Sequence, residues 1–396
     1  MTTSAASARL AGRSAATLAL LPIGLVAVLA SAANVVEASN PALALELWPF
    51  NQGARARLAG DALTQGDPSA YGEIETMART IAVAEPINPV AYRLLGTVAG
   101  ARDRSSFADA ALAHTQRLTR RDPLSQLYFI ERAVQRGDAP EAFSHYAVAL
   151  DTNRETMPTL FPILVKAAAS PELRTSYAEF LTQGGAWREQ LAFKIASETQ
   201  PVAAALALLE AARQRGLPLS DTVRQPLIER LIAAGDERAA RRLALRDSRQ
   251  ADALLLNPGF GRVAALDPYD WSFADSSSAT LTPNPAGGLD FVLEATTNPW
   301  LARQRLTLAP GAYRFRSRIA IDSGSPGGLQ WSVACVDGRT LATLPATTQV
   351  DASIGFTVPA DCPAQWVAFG PSDRQGSAQV SGTINSVSLE RVGKAG

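Results

Sequence analysis

Three arginines recur at every second position in the segment GAYRFRSRIAID, at Arg314, Arg316 and Arg318, and two more, Arg303 and Arg305, stand in the segment before it. On an extended strand such residues share a face and lie about 6 to 7 Å apart. A guanidinium grips a carboxylate or phosphate through paired hydrogen bonds, so this spacing suits an acidic polymer. The same alternation also describes the solvent side of any sheet, and both meanings stay open on the sequence alone. Trp300, just ahead of Arg303, is the flat side chain best placed to stack on a sugar ring. The candidate glycan-binding set is therefore Trp300, Arg303, Arg305, Arg314, Arg316 and Arg318.

Other chemistry finds little support. Asp290 and Glu294 share a strand face but lie about 13 Å apart at strand rise, whereas a glycosidase pair needs roughly 5 to 9.5 Å. The two histidines, His114 and His145, fall in helical sequence away from any nucleophile or metal spacing, and His145 reads as a surface or groove residue. The glycines of 324–328 sit between strands, with no helix behind them to receive a phosphate. No cofactor or metal is implied, and the expected protein is not an enzyme.

Cys335 and Cys362 are the two cysteines. They are either one disulfide across two strands, which requires an oxidising compartment, or two buried thiols in a reducing one. Net charge is zero, from 37 basic and 37 acidic residues, which argues against nucleic acid as a partner. Arginine far outnumbers lysine and alanine is abundant, a pattern that a GC-rich coding sequence produces without functional cause.

Residues 14–36 carry no charge and are apolar for most of their length, long enough for a bilayer core at about 1.5 Å per residue. Arg9 and Arg13 precede the run and Glu37 follows it, a polarity that keeps 1–13 in the cytoplasm and sends the remainder across. Two versions remain: a retained inner-membrane anchor, or a signal peptide removed near Ala30-Ser31-Ala32 and a secreted product. A linker over 37–53 would follow.

Between 54 and 255 the apolar period is near 3.6, as in AFSHYAVAL, where Phe143, Tyr146, Ala147 and Leu150 share a face. Helix starts are marked at Asn88-Pro89, Asp122-Pro123 and Ser220-Asp221. Pro89 and Pro123 are 34 residues apart. With Gly137, Ala142, Tyr146 and Ala149, and with Leu95-Gly96 and Ala108 in the preceding unit, this region resembles degenerate tetratricopeptide repeats; Thr115 departs from the pattern where a small residue is expected. The resemblance implies stacked helix pairs with a groove for envelope-protein partners. A generic α-solenoid or an irregular bundle is the alternative.

After Asn257 the period becomes two. Leu289, Phe291 and Leu293 alternate with Asp290, Val292 and Glu294, and Leu329, Trp331, Val333 and Cys335 with Gln330, Ser332 and Ala334. Short strands with Gly, Pro and Asp turns predict a β-sandwich over 256–391, with a tail at 392–396. Asn257-Pro258-Gly259-Phe260 is expected to open its first strand, with Trp271 and Trp331 in the core. The order Asn257 to Phe260, Trp271, then Gln304 to Tyr313 resembles jelly-roll carbohydrate-binding modules. The whole order of parts resembles bacterial tetratricopeptide proteins of exopolysaccharide and capsule systems. That resemblance implies a multi-domain α plus β protein: an inner-membrane helix, a tetratricopeptide-type solenoid and a jelly-roll sandwich in the periplasm. It also implies a non-catalytic scaffold for polysaccharide assembly or export, touching an acidic glycan. A protein adaptor without sugar binding and a carbohydrate-active enzyme accessory are the competing functions.

Overall fold

The computed structural model describes residues 24–246, 252–261, 266–274, 278–285, 287–294, 300–347, 351–372 and 379–393. The chain divides into two compact units, Met1–Leu160 with Gln183–Trp187, and Phe161–Thr182 with Arg188–Gly396.

The first unit is helical. Residues 24–36 form helix α1, followed by α2 (Pro41–Leu47), α3 (Gln52–Thr64), α4 (Tyr71–Ala84), α5 (Pro89–Ala101), α6 (Ser105–Leu118), α7 (Pro123–Gln135) and α8 (Ala139–Thr152). The stretch read as a linker holds α2 and the start of α3. The remainder of the apolar run, 14–23, lies outside the described residues. Among the described residues no helix is long and apolar enough to cross a membrane.

Local chemistry explains the helix starts. Asn88 and Asp122 cap α5 and α7 by accepting hydrogen bonds from the Val90 and Ser125 amides, each with proline at the first helical position, whose missing N–H costs nothing there. Consecutive helices pair. Gly96 lets α5 and α6 approach closely, because a Cβ there would meet Leu112 Cγ at 2.5 Å and force the Leu112 side chain to shift. In α7–α8 the turn needs Gly137, whose φ is +72°, and Ala142, Tyr146 and Ala149 are buried as the helical pattern predicts. Thr115 is buried too, and its hydroxyl donates to the Ala111 carbonyl, which removes the cost of placing a polar group where a small residue is expected.

The second unit begins with most of α9 (Met157–Ala167) and continues with α10 (Arg174–Thr182), α11 (Arg188–Glu198), α12 (Val202–Gln214), α13 (Asp221–Ala233) and α14 (Glu237–Ala244). Ten strands follow: β1 (Ser272–Phe273), β2 (Ala279–Pro283), β3 (Leu289–Leu293), β4 (Ala302–Leu306), β5 (Gly311–Ser323), β6 (Leu329–Cys335), β7 (Thr340–Pro345), β8 (Ala352–Val358), β9 (Gln365–Pro371) and β10 (Val380–Arg391). They make two antiparallel sheets, ordered β1-β4-β9-β6-β7 and β2-β3-β10-β5-β8, so the sequence-level division into helices and a sandwich holds. The inward sides alternate as expected: Leu289, Phe291 and Leu293 on β3, Tyr313 and Phe315 on β5, and Trp331 and Val333 on β6 are all buried. Trp331 donates its indole N–H to Ser317 Oγ at 2.9 Å, which satisfies the one polar atom it brings into the core.

One local expectation fails. Asn257 to Phe260 is a turn, not a strand. Asn257 and Phe260 have φ of +48° and +56°, a left-handed conformation incompatible with a pleated ladder. The turn has its own role: the Asn257 carbonyl accepts the Trp271 indole N–H at 3.0 Å, and Phe260 packs on that ring with 4.7 Å between centroids. Trp271 is a core residue, as the sequence suggested.

Candidate functional site

The candidate set does not form one strip. Strand β4 alternates, with Ala302 and Gln304 wholly buried and facing in. Gln304 is locked there by hydrogen bonds to both the N–H and the C=O of Leu256, at 2.8 and 3.0 Å. Arg303 and Arg305 therefore project from the opposite, outer face, beside β9, where Arg305 pairs with Trp366 and Arg303 with Ala368. The Arg303 guanidinium lies between two indoles, 3.9 Å from the Trp300 centroid and 4.4 Å from the Trp366 centroid. This is the geometry in which a cation is attracted to both ring faces. All three side chains are half-buried, and Arg303 Nε has no hydrogen-bond partner among the described residues. Burial lowers the Arg303 pKa, with Asp267 opposing the effect. Trp366 was not singled out in the sequence, although its phase gives it away: it falls between the inward-facing Gln365 and Val367.

Arg305 is held by a neighbouring helix. It is buried, and its Nε donates to Glu237 Oε2 at 3.0 Å while its Nη2 donates to Glu237 Oε1. Tyr269 donates its hydroxyl to the same carboxylate at 3.0 Å. Burial first, and the Glu237 charge second, raise the Tyr269 pKa, so it stays a neutral donor. Helix α14 covers this part of the sheet, and Glu237 takes up the Arg305 charge.

Arg314, Arg316 and Arg318 project from β5, which belongs to the other sheet. All three are exposed, while Phe315 and Ser317 between them, and Tyr313 before them, face in. Arg316 meets Glu390 at 2.6 Å, with Arg314 3.9 Å from the same carboxylate, and Arg318 meets Asp351 at 3.1 Å. Across the ladders, Arg316 faces Ser353 and Ser388, and Arg314 faces Gly355 and Glu390. Exposed ion pairs of this kind are worth about 0 to 1 kcal/mol, and a ligand anion competes with them easily.

Asp290 is occupied structurally: it accepts from Thr383 Oγ1 at 2.7 Å and from Asn284 Nδ2 at 3.1 Å. Cys335 and Cys362 form a disulfide, with Cα atoms 5.6 Å apart. Its second half sits in the loop before β9, not on a strand as expected, because Cys362 lies in the turn that the Gln365 side chain pins through the Cys362 carbonyl.

In the helical unit, α6, α7 and α8 line an open polar groove of about 430 Å³ that includes Gln116, Arg117, Arg120, Gln126 and His145. His145 stacks on Phe129 at 5.2 Å and its Nδ1 lies 2.9 Å from Gln126 Oε1, an acceptor. Burial lowers the His145 pKa, opposed by Glu141, and Gln116 Nε2 lies 3.5 Å from the same Nδ1. His145 is the groove residue that the sequence suggested. His114 contacts Arg117 and packs edge-on against Tyr92. Among the described residues no cluster of His, Cys, Asp and Glu is set to hold a metal.

No family model matches the chain, and no curated protein does. Solved structures resemble its C-terminal β region. TmCBM61, a carbohydrate-binding module in complex with beta-1,4-galactotriose, matches with 16% identity over 35% of this chain and 99% of its own, at a TM-score of 0.25. A chain from the crystal structure of accessory secretory protein 1, 2 and 3 in Streptococcus pneumoniae matches with 12% identity over 30% of this chain and 87% of its own, at a TM-score of 0.22. A family 6 carbohydrate-binding module from Clostridium cellulolyticum in complex with xylose matches with 15% identity over 31% of this chain and 98% of its own, at 0.21.

Proposed function

We propose that this chain is a non-catalytic scaffold of the bacterial envelope that binds glycan through its β-sandwich and assists the assembly or export of an exopolysaccharide or other cell-envelope polysaccharide. The observation that carries the proposal is the half-exposed Trp300–Arg303–Trp366 stack on the outer face of β4 and β9. It offers what an acidic sugar needs in one place: flat apolar rings for the C–H face of the pyranose and a guanidinium for its carboxylate. The exposed arginines of β5 supply a second, purely ionic surface for the same polymer.

In this proposal the sandwich is of jelly-roll type and the helical region is of tetratricopeptide type. The latter is supported by the 34-residue spacing of the capped prolines that open α5 and α7, and by close packing at Gly96 and Ala142. Residues 14–36 are the inner-membrane anchor, with both folded regions in the periplasm, where the Cys335–Cys362 bond is stable. A second reading, an adaptor whose sandwich binds no sugar, draws on the polar groove over α6 to α8 as a protein-docking surface.

Retention of the full chain by gels containing acidic polysaccharides separates them. Retention that Trp300→Ala abolishes supports the scaffold; passage through every gel at the rate of an inert protein sinks it and leaves the adaptor.

A further inference from the structure

The largest concentration of exposed apolar side chains lies at the start of the described chain, not on the sandwich. Leu25, Val26 and Val28 are 61%, 46% and 65% exposed on α1, and Val35 near its end is 81% exposed. Phe50, after α2, is 70% exposed. Soluble surfaces rarely gather such residues without a partner. Helix α1 carries no charge, and the ten residues ahead of it in sequence, 14–23, carry none either.

The C-terminal end of α1 does not swing free. Ala33 is wholly buried against Ala44 of α2 and Ala54 of α3, with Val36 and Trp48 packed on the same cluster. Asn51, the N-cap of α3, donates its side-chain N–H to Asn34 Oδ1 at 3.2 Å, and Glu37 pairs with Arg57 at 3.2 Å. Beside this joint Trp48 and Phe50 meet edge to face, 5.4 Å between centroids. An indole is what the water–lipid boundary selects, since its ring is apolar in body and its N–H reaches the headgroups, and Phe50 extends the same apolar surface.

We propose that α1 and the Trp48–Phe50 pair form a lipid-docking surface, in which the exposed faces of α1 contact acyl chains and the aromatic pair rests at the headgroup level of the bilayer. The occupant is the membrane itself. This holds α2 and α3 against the bilayer through a fixed joint instead of a flexible tether. The inference rests on the anchor reading of 14–36 and adds to it a defined contact made by Trp48 and Phe50, downstream of the span.

The test uses the full chain reconstituted in phosphatidylcholine vesicles containing lipids brominated either near the headgroup or near the acyl terminus. The expected result is that shallow bromines quench a fraction of the tryptophan emission, that this fraction disappears in Trp48→Phe, and that deep bromines quench it less. A vesicle-bound chain whose quenching is the same in wild type and Trp48→Phe overturns the docking while leaving the anchor intact. A wild-type chain that floats free of vesicles overturns the anchor reading, and the docking with it. Phe50→Asp provides a second readout that does not depend on fluorescence: hydrogen exchange across 41–57 is slower on vesicles than in detergent for the wild type, and this difference is lost in the variant.

Discussion

Glu237 on α14 and Arg305 on β4 face each other as a two-point ion pair, with side chains 9% and 10% exposed. A buried pair contributes little against an apolar replacement, yet breaking one half strands the other charge. Glu237→Ala is therefore expected to lower unfolding stability by about 3 to 5 kcal/mol, measured by urea denaturation. The double variant Glu237→Leu with Arg305→Met should recover most of that loss, since Tyr269 keeps the backbone carbonyl at position 237 as an acceptor at 3.3 Å. Glycan retention by the double variant should match the wild type, because the Arg305 guanidinium is engaged by Glu237.

That pair also marks where the sequence stopped being informative. Helix starts at Pro89 and Pro123 were legible because a cap and its proline act within four residues, and β3, β5 and β6 because side-chain alternation is local. Arg303 and Arg305, two residues apart, share one face of β4, opposite the buried Ala302 and Gln304. Nothing local distinguishes an outward face in water from one covered by a helix, and Glu237 is 68 residues away from Arg305. The same limit split the candidate arginines: consecutive strands in sequence, β4 and β5, belong to different sheets. Asn257 to Phe260 was misread because its left-handed residues are held by Trp271, a tertiary partner.

The disulfide closes a loop of 27 residues between β6 and the turn before β9. Cross-links of such length stabilise by about 2 to 4 kcal/mol, chiefly by restricting the unfolded chain. Cys335→Ser with Cys362→Ser should lower the thermal midpoint of the sandwich transition by several degrees, and a reductant should bring the wild type to the same value. A midpoint indifferent to both would mean that the bridge is absent in solution.

Acid sensitivity should concentrate at Glu75. Its carboxylate lies 2.9 Å from Arg104, 2.8 Å from Arg79 and 3.1 Å from Arg102, joining α4 to the α5–α6 turn. Hydrogen bonds from Arg104 and then Arg79 hold its pKa at about 2, against an ordinary value of 4.5. A carboxylate depressed by folding stabilises the folded state above its unfolded pKa, and that contribution fades as pH falls from 4.5 towards 2. Glu75→Gln should reduce the thermal midpoint at pH 7 and flatten its decline across that acid window. Circular dichroism melts at half-unit pH steps provide the comparison, and parallel declines in the two proteins would assign the acid sensitivity elsewhere.

The two exposed surfaces of the sandwich should differ in their response to salt. Arg314, Arg316 and Arg318 act through charge in full solvent, where screening falls within about 8 Å at physiological ionic strength. A charged hydrogen bond to a ligand carboxylate is worth about 1.5 kcal/mol, roughly tenfold in affinity. Arg316→Ala should therefore weaken binding of an acidic polysaccharide about tenfold at low ionic strength, and have little effect once salt has already screened that contact. Trp300→Ala removes a ring instead of a charge, so its effect should persist at high salt and extend to the neutral, carboxyl-reduced form of the same polymer. Isothermal titration of both variants across a salt series, with native and carboxyl-reduced polysaccharide, reads the two contributions separately. If both variants lost affinity with the same salt dependence, Trp300 would be acting only by holding Arg303 in place, and the ring-stacking half of the proposed glycan site would fall.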